Sequence, residues 1–228
     1  MKEVMKDIPI RNKEFKKMLD KFLWFTQQRV YQAVGQSGAS IDKTQAHYYT
    51  SEEYRDKIIS LGATHDGFPD SMRGYSFQHT RMKLDPKGDL DVQQEIVKKH
   101  AELIFGFEEE YALKNNALFV LYPPGGYISW HNNANASAYN IILTWSENGN
   151  GHFSYVDPNT GKTVHMQDKP GWQCKLGFFG SYEDPKSEMC YHAAYTDCWR
   201  MTISFIFDRS EESQFLQEMF LEEIQSEE

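Results

Sequence analysis

Cysteine is scarce in this chain. Its 228 residues hold three, Cys174, Cys190 and Cys198, which cannot all pair with one another, and no Cys-x-x-Cys occurs. That excludes a disulfide-stapled scaffold and predicts free thiols in a reducing, cytosolic setting. Long apolar runs are missing too. The longest, Ala117–Tyr122, falls far short of the roughly 20 residues that span a bilayer, so no membrane association is expected. Met1–Ile10 has no apolar stretch of the kind a secretory leader needs. Basic runs are absent from residue 110 onward, and 33 acidic against 24 basic residues give a net charge of −9. A protein that grips a nucleic-acid backbone normally shows a basic stripe, so nucleic acid is a disfavoured partner. No internal repeat or low-complexity segment occurs.

What is present is ordinary globular composition, 40% apolar and 25% charged, enough for one buried core with a helical annex. The pattern changes near residue 115. Before it, Phe15, Met18, Leu19, Phe22 and Leu23 recur at helical spacing and predict an amphipathic helix over about 12–34. Thr50-Ser51-Glu52-Glu53 predicts the start of a short helix ending near Gly62, and a long helix is expected after Asp89 or Asp91. Tyr75–Leu84 alternates as an extended strand does. After residue 115, about eight short strands separated by turns such as Pro123-Pro124-Gly125-Gly126 and Asp157-Pro158-Asn159-Thr160-Gly161 indicate a sandwich or barrel. The expected organisation is a mainly helical region, 1–115, packed on a β core, 116–208, with a C-terminal helix in 209–228.

Three features of the strand-rich part carry chemistry. In Trp130-His131-Asn132-Asn133, extended backbone would put His131 and Asn133 on one face, with Cα atoms roughly 6.6 Å apart. His192 follows 61 residues later, and Arg200 eight beyond it, in an alternating Arg200-Met-Thr202-Ile-Ser204.

With these residues in this order, residues 116–208 or so resemble the 2-oxoglutarate- and iron(II)-dependent dioxygenases of the prolyl-hydroxylase-like type. The wording Tyr-Pro-Pro-Gly-Gly…Trp-His-x-Asn…Tyr-Asn-Ile…Thr-Trp-Ser is also similar to oxygenases encoded by marine T4-like phages. The resemblance implies a mainly β fold with flanking helices, a double-stranded β-helix (jelly roll), and an oxidoreductase. It implies Fe(II) held by His131, Asn133 and His192, with 2-oxoglutarate as cosubstrate and ascorbate as an accessory reductant. Two imidazoles and an oxygen donor occupy one face of such an iron and leave positions open for an oxoacid and dioxygen. Arg200 would supply a planar fork for the distal carboxylate, Thr202 its hydroxyl partner, and Tyr122 and Asn140 further hydrogen bonds. The expected location is cytoplasmic, the host cytoplasm for a phage-encoded chain.

The chain departs from the family at Asn133, where the pattern has Asp or Glu. A neutral amide binds a dication more weakly than a carboxylate does. Three outcomes stay open: weak ligation by Asn133, two histidines completed by water or an anion, or a degenerate site. Asp157 and Asp168 are acids remote in sequence that could fold in. Against the metal, His131 and His192 could be buried structural histidines and Arg200 an ion-pair partner; the matched order and spacing favour ligation. Cys190, His192 and Cys198 lack a tetrahedral zinc set at familiar spacing. The resulting expectation is a hydroxylase acting on a small molecule or a peptide side chain; the alternative is a non-catalytic or altered-chemistry jelly-roll metal-binding protein.

Overall fold

A computed structural model describes residues 4–34, 43–76, 88–133, 137–185 and 188–227. In chain order it contains β1 (Met5–Ile8), α1 (Lys13–Val34), α2 (Lys43–Tyr49), α3 (Glu52–Leu61), β2 (Met72–Arg73), β3 (Tyr75–Ser76) and α4 (Leu90–Tyr111). The strand-rich part follows: β4 (Asn116–Tyr122), β5 (Gly126–His131), β6 (Ala138–Ser146), β7 (Gly151–Val156), β8 (Thr163–Gln167), β9 (Gly171–Phe179), β10 (His192–Thr196) and β11 (Arg200–Phe207), then α5 (Glu211–Gln225). Helix starts fall where capping chemistry puts them. Ser51 accepts from the Tyr54 N–H, Asp89 from Asp91 and Val92, and Ser210 from Ser213. Each side chain satisfies amide donors that have no partner within the helix.

The strands form two antiparallel sheets with flanking helices, a jelly-roll-like arrangement. One sheet runs β1-β9-β6-β11-β4-β3 and the other β2-β5-β10-β7-β8. Because side chains alternate across a strand, the six-stranded sheet has two chemically different faces. Phe119, Leu121, Ile141, Leu143, Met201, Ile203 and Phe205 point to the helices, where they pack with Phe15, Leu19 and Phe22 of α1, Phe107 of α4 and Phe220 of α5. Phe15 stacks on Phe107 at 4.9 Å between ring centroids. The other face, with Tyr122, Asn140, Arg200, Thr202 and Ser204, looks across to the five-stranded sheet and lines a cavity.

Two strands, β1 and β2, were not expected. β1 was not legible because Lys6 and Asp7 mask its alternation; it exists by pairing Met5–Ile8 with Cys174–Gly177. β10 begins at His192, where pairing with both β5 and β7 starts. Of the strand expected over 75–84, Tyr75–Ser76 is β3; the remainder, with His79 and Arg81, lies outside the described residues. All three cysteines are free and buried. Among the described residues, no helix is long and apolar enough to cross a membrane.

Candidate functional site

The site is built on neighbouring strands of the five-stranded sheet and faced by the inner side of the other. His131 and His192 are directly paired across β5 and β10, and their ring centroids lie 4.2 Å apart. A bulge makes this possible. Between the Ile128–Ala194 and His131–His192 pairs, β5 spends three residues where β10 spends two. Simple alternation from inward-facing Ile128 would send Trp130 inward and His131 out. The extra residue reverses both, as bulges beside functional sites do. Trp130 packs outside with Tyr54 and Tyr191 and donates its indole N–H to the Thr50 carbonyl at 3.0 Å.

Both imidazoles have a fixed tautomer. Nδ1 of His131 lies 2.8 Å from the Ser129 carbonyl and Nδ1 of His192 lies 2.9 Å from the Cys190 carbonyl. A carbonyl only accepts, so each Nδ1 carries the proton and each Nε2 presents a lone pair. Burial pushes His131 down to about 4 and His192 well below the ordinary histidine range. Both rings are therefore neutral at pH 7, the state a metal ligand requires. Phe179 and Phe153 wall His192 at 4.4 and 5.6 Å between centroids.

Asn133 reaches the site by a route different from the expected one. β5 ends at His131, and Asn133 is left-handed, with φ 63°. The extended His131-x-Asn133 geometry therefore does not hold. Asn tolerates this conformation better than most residues, and it lines the same cavity as His131. The Asn132 N–H donates to the Gly67 carbonyl at 3.3 Å, tying this turn to the 65–72 loop that carries Phe68 and Met72 to the cavity mouth. No group of three or more His, Cys, Asp or Glu side chains fit to hold a metal occurs among the described residues.

Across the cavity, Arg200 on β11 is 2% exposed. Its Nε donates to Oδ2 of Asp168 at 2.8 Å and its Nη1 to the Thr202 hydroxyl at 2.7 Å. Nη2 makes no hydrogen bond among the described residues. Asp168 is thus no metal ligand: it lies against the arginine, and its Oδ1 is buried without a partner. Asp157 caps its own turn through Asn159 and Thr160. The guanidinium carbon sits 5.8 Å from the Tyr122 ring centroid, and burial pushes the Tyr122 hydroxyl up to about 12. Asn140 donates to the Ala138 carbonyl at 3.2 Å.

His131, Asn133, His192, Arg200, Thr202, Tyr122 and Asn140 all line this one cavity, of about 450 Å³. Sequence reasoning missed the Asp168 partnership, the aromatic wall and the 65–72 loop. Only the strand period could have pointed to Phe153 and Phe179; nothing in the sequence marks Asp168. The cavity is large enough for a five-carbon oxoacid with room for part of a second molecule. It has paired nitrogen donors at one side and an arginine at the other.

No protein-family model matches the chain, and no curated protein matches it. Solved structures similar to it include a prolyl-4-hydroxylase of Pseudomonas putida, 15% identical over 56% of this chain and 70% of that one, with a TM-score of 0.29. A viral collagen prolyl hydroxylase of Paramecium Bursaria Chlorella virus-1, solved with 2-oxoglutarate, is 13% identical over 69% and 91%, with a TM-score of 0.29. The dioxygenase for auxin oxidation 1 of Arabidopsis thaliana, also with 2-oxoglutarate, is 12% identical over 87% and 78%, with a TM-score of 0.26. None of these scores reaches 0.5, so the likeness carries no weight for fold or activity.

Proposed function

We propose that this chain is a 2-oxoglutarate- and Fe(II)-dependent oxygenase on a double-stranded β-helix, hydroxylating a small molecule or a peptide side chain. The observation that carries this reading is the cross-strand pair His131–His192, with both Nδ1 protons engaged by backbone carbonyls and a buried arginine on the same cavity. Two neutral imidazoles with fixed tautomers suit a borderline metal such as iron(II). The strand order is compatible with this fold, since β4 to β11 divide between two facing sheets with sequence neighbours mostly in opposite ones.

His131 and His192 would hold the metal, with the Asn133 amide as the third protein donor. When bound, iron(II) with 2-oxoglutarate supplies the dioxygen chemistry that oxidises a substrate C–H bond. Arg200 then orients the cosubstrate: Nε and Nη1 are already committed to Asp168 and Thr202, and Nη2 is left for a carboxylate. Tyr122 and Asn140 line the same wall, and Phe153 and Phe179 keep water from His192. The net charge of −9 favours a small molecule or peptide over nucleic acid.

The test is succinate formation by purified protein with iron(II), ascorbate and 2-oxoglutarate, together with cosubstrate binding by the metal-loaded protein. Wild type should bind and turn over, and Arg200→Met should lose binding by tenfold or more. Absence of both binding and succinate in wild type refutes the reading.

One observation favours a second reading. The third position offers an amide, and no carboxylate completes a three-ligand group among the described residues. A metal-binding protein with altered or lost redox chemistry fits that donor set. If Asn133→Asp raises both metal affinity and turnover, the site is a weakened oxygenase; if it raises affinity and abolishes turnover, the amide serves the chemistry.

A further inference from the structure

A lysine is buried behind the cavity, and neither of its partners explains it. Lys175 on β9 is 1% exposed. It is in register with Asp7 of β1 and Ile142 of β6, and Ile142 in turn with Ser204 of β11. Ile142 and Ser204 line the cavity. Lys175 shares its strand face with Phe179, which also lines it, because the two are four residues apart. Its ammonium has the Asp7 carboxylate at 3.8 Å, on a side chain 61% exposed, and the Gln173 amide oxygen at 3.5 Å. Both are at the outer limit of their kind.

The surroundings are short of negative charge. Two buried cations, Arg200 and Lys175, face one buried carboxylate, Asp168, so one of the two charges is balanced only by the exposed carboxylate of Asp7 at 3.8 Å. A buried charge without a close partner is costly unless a ligand supplies one. Other polar atoms are unmatched here as well. The Thr144 hydroxyl is buried without a partner, on the rung between Thr202 and Gln173. A carboxylate arriving at Nη2 of Arg200 would enter the field of both cations and leave the cluster neutral.

We propose that Lys175 is a second, specificity-determining cation of the cosubstrate end of the pocket. With Arg200 it makes the pocket require a dicarboxylate and discriminate against 2-oxo acids that lack the distal carboxylate. This rests on the oxygenase reading above. Lys175 acts through its field behind the wall formed by Ile142 and Ser204, so it contributes to affinity and selection and not to the chemical step. Asp168 balances Arg200 and leaves the charge of Lys175 to be met by the ligand.

Manganese(II)-loaded protein is titrated with 2-oxoglutarate and, separately, with 2-oxobutanoate, which has the same oxoacid head and no distal carboxylate. Lys175→Met should weaken 2-oxoglutarate binding about tenfold and leave 2-oxobutanoate binding unchanged, while Lys175→Arg recovers most of the loss. Asp7→Asn should leave the ratio of the two affinities as in wild type. Circular dichroism and thermal melts confirm that each variant folds, with Lys175→Gln as the replacement if Met does not. A purely structural lysine would change the melting temperature without changing the ratio, and that result overturns the proposal. If wild type binds 2-oxoglutarate, Arg200→Met loses it and Lys175→Met does not, the proposal fails while the oxygenase reading stands. If wild type binds neither acid, both fail.

Discussion

Neutralising Asp168 should show how tightly the arginine is held. Asp168 and Arg200 have side chains 0% and 2% exposed, with Nε and Oδ2 2.8 Å apart. Removing one partner of a buried pair costs about 3–5 kcal/mol, because the other charge stays behind. Asp168→Asn retains an acceptor, so part of the hydrogen bond survives, and the expected loss is about 2–3 kcal/mol. For a chain of this size each kcal/mol moves the melting temperature by about 2–4 °C, giving a fall of roughly 5–10 °C. Arg200→Met should cost more, since Asp168 would keep only distant Lys175 as a cation. The double variant should be more stable than the sum of the singles predicts, with a coupling of about 2–3 kcal/mol in thermal and urea unfolding of metal-free protein at pH 7. If Asp168→Asn falls within about 0.5 kcal/mol of wild type and the two changes add, the buried-pair reasoning is wrong.

Asn133→Asp should tighten manganese(II) binding at least tenfold in calorimetric titration; unchanged affinity would place Asn133 away from the metal. In metal-free protein, His131 sits at about 4 when folded against an unfolded value of about 6.5. The unfolded chain therefore takes up the proton first as pH falls. Stability is full above about pH 6.5 and declines toward about pH 4, by about 3 kcal/mol for this residue. His131→Gln should flatten that decline, and an unaltered slope between pH 7 and 4.5 would refute the assignment. Gly151→Ala would set a Cβ 2.7 Å from Oδ2 of Asp168 and 2.9 Å from Oγ1 of Thr196. A loss of about 1–3 kcal/mol is expected, with weaker 2-oxoglutarate binding, and wild-type values for both would contradict that packing.

Much of the architecture was legible because it follows local rules. The apolar stripe of α1, the capping residues Ser51 and Asp89 and the turn at Pro123–Gly126 all announce themselves in the chain. The inward positions of Arg200 and Thr202 follow from a period of two on a strand read with the right ends. What escaped depends on contacts between residues remote in sequence. β1 is a strand because β9 is beside it, and its own Lys6 and Asp7 argue otherwise. Asp168 meets Arg200 across 32 positions, and nothing near either residue predicts the other. The left-handed turn at Asn133 was missed for a related reason: the pleat was extended past His131, where the strand had already ended.

The bulge in β5 separates two ways of counting. Along the chain, His131 and Asn133 form a motif that any pattern search finds at once. Across the sheet, what puts the imidazole indoors is one surplus residue around Ser129 and Trp130. A chain with identical wording but without that residue would carry the signature and display its histidine to solvent. Loss or gain of a single amino acid there is thus a whole-site switch, one that a substitution scan of the ligands would never sample. Indel variants between Ile128 and His131 are the mutational space in which such a pocket can be turned off or created.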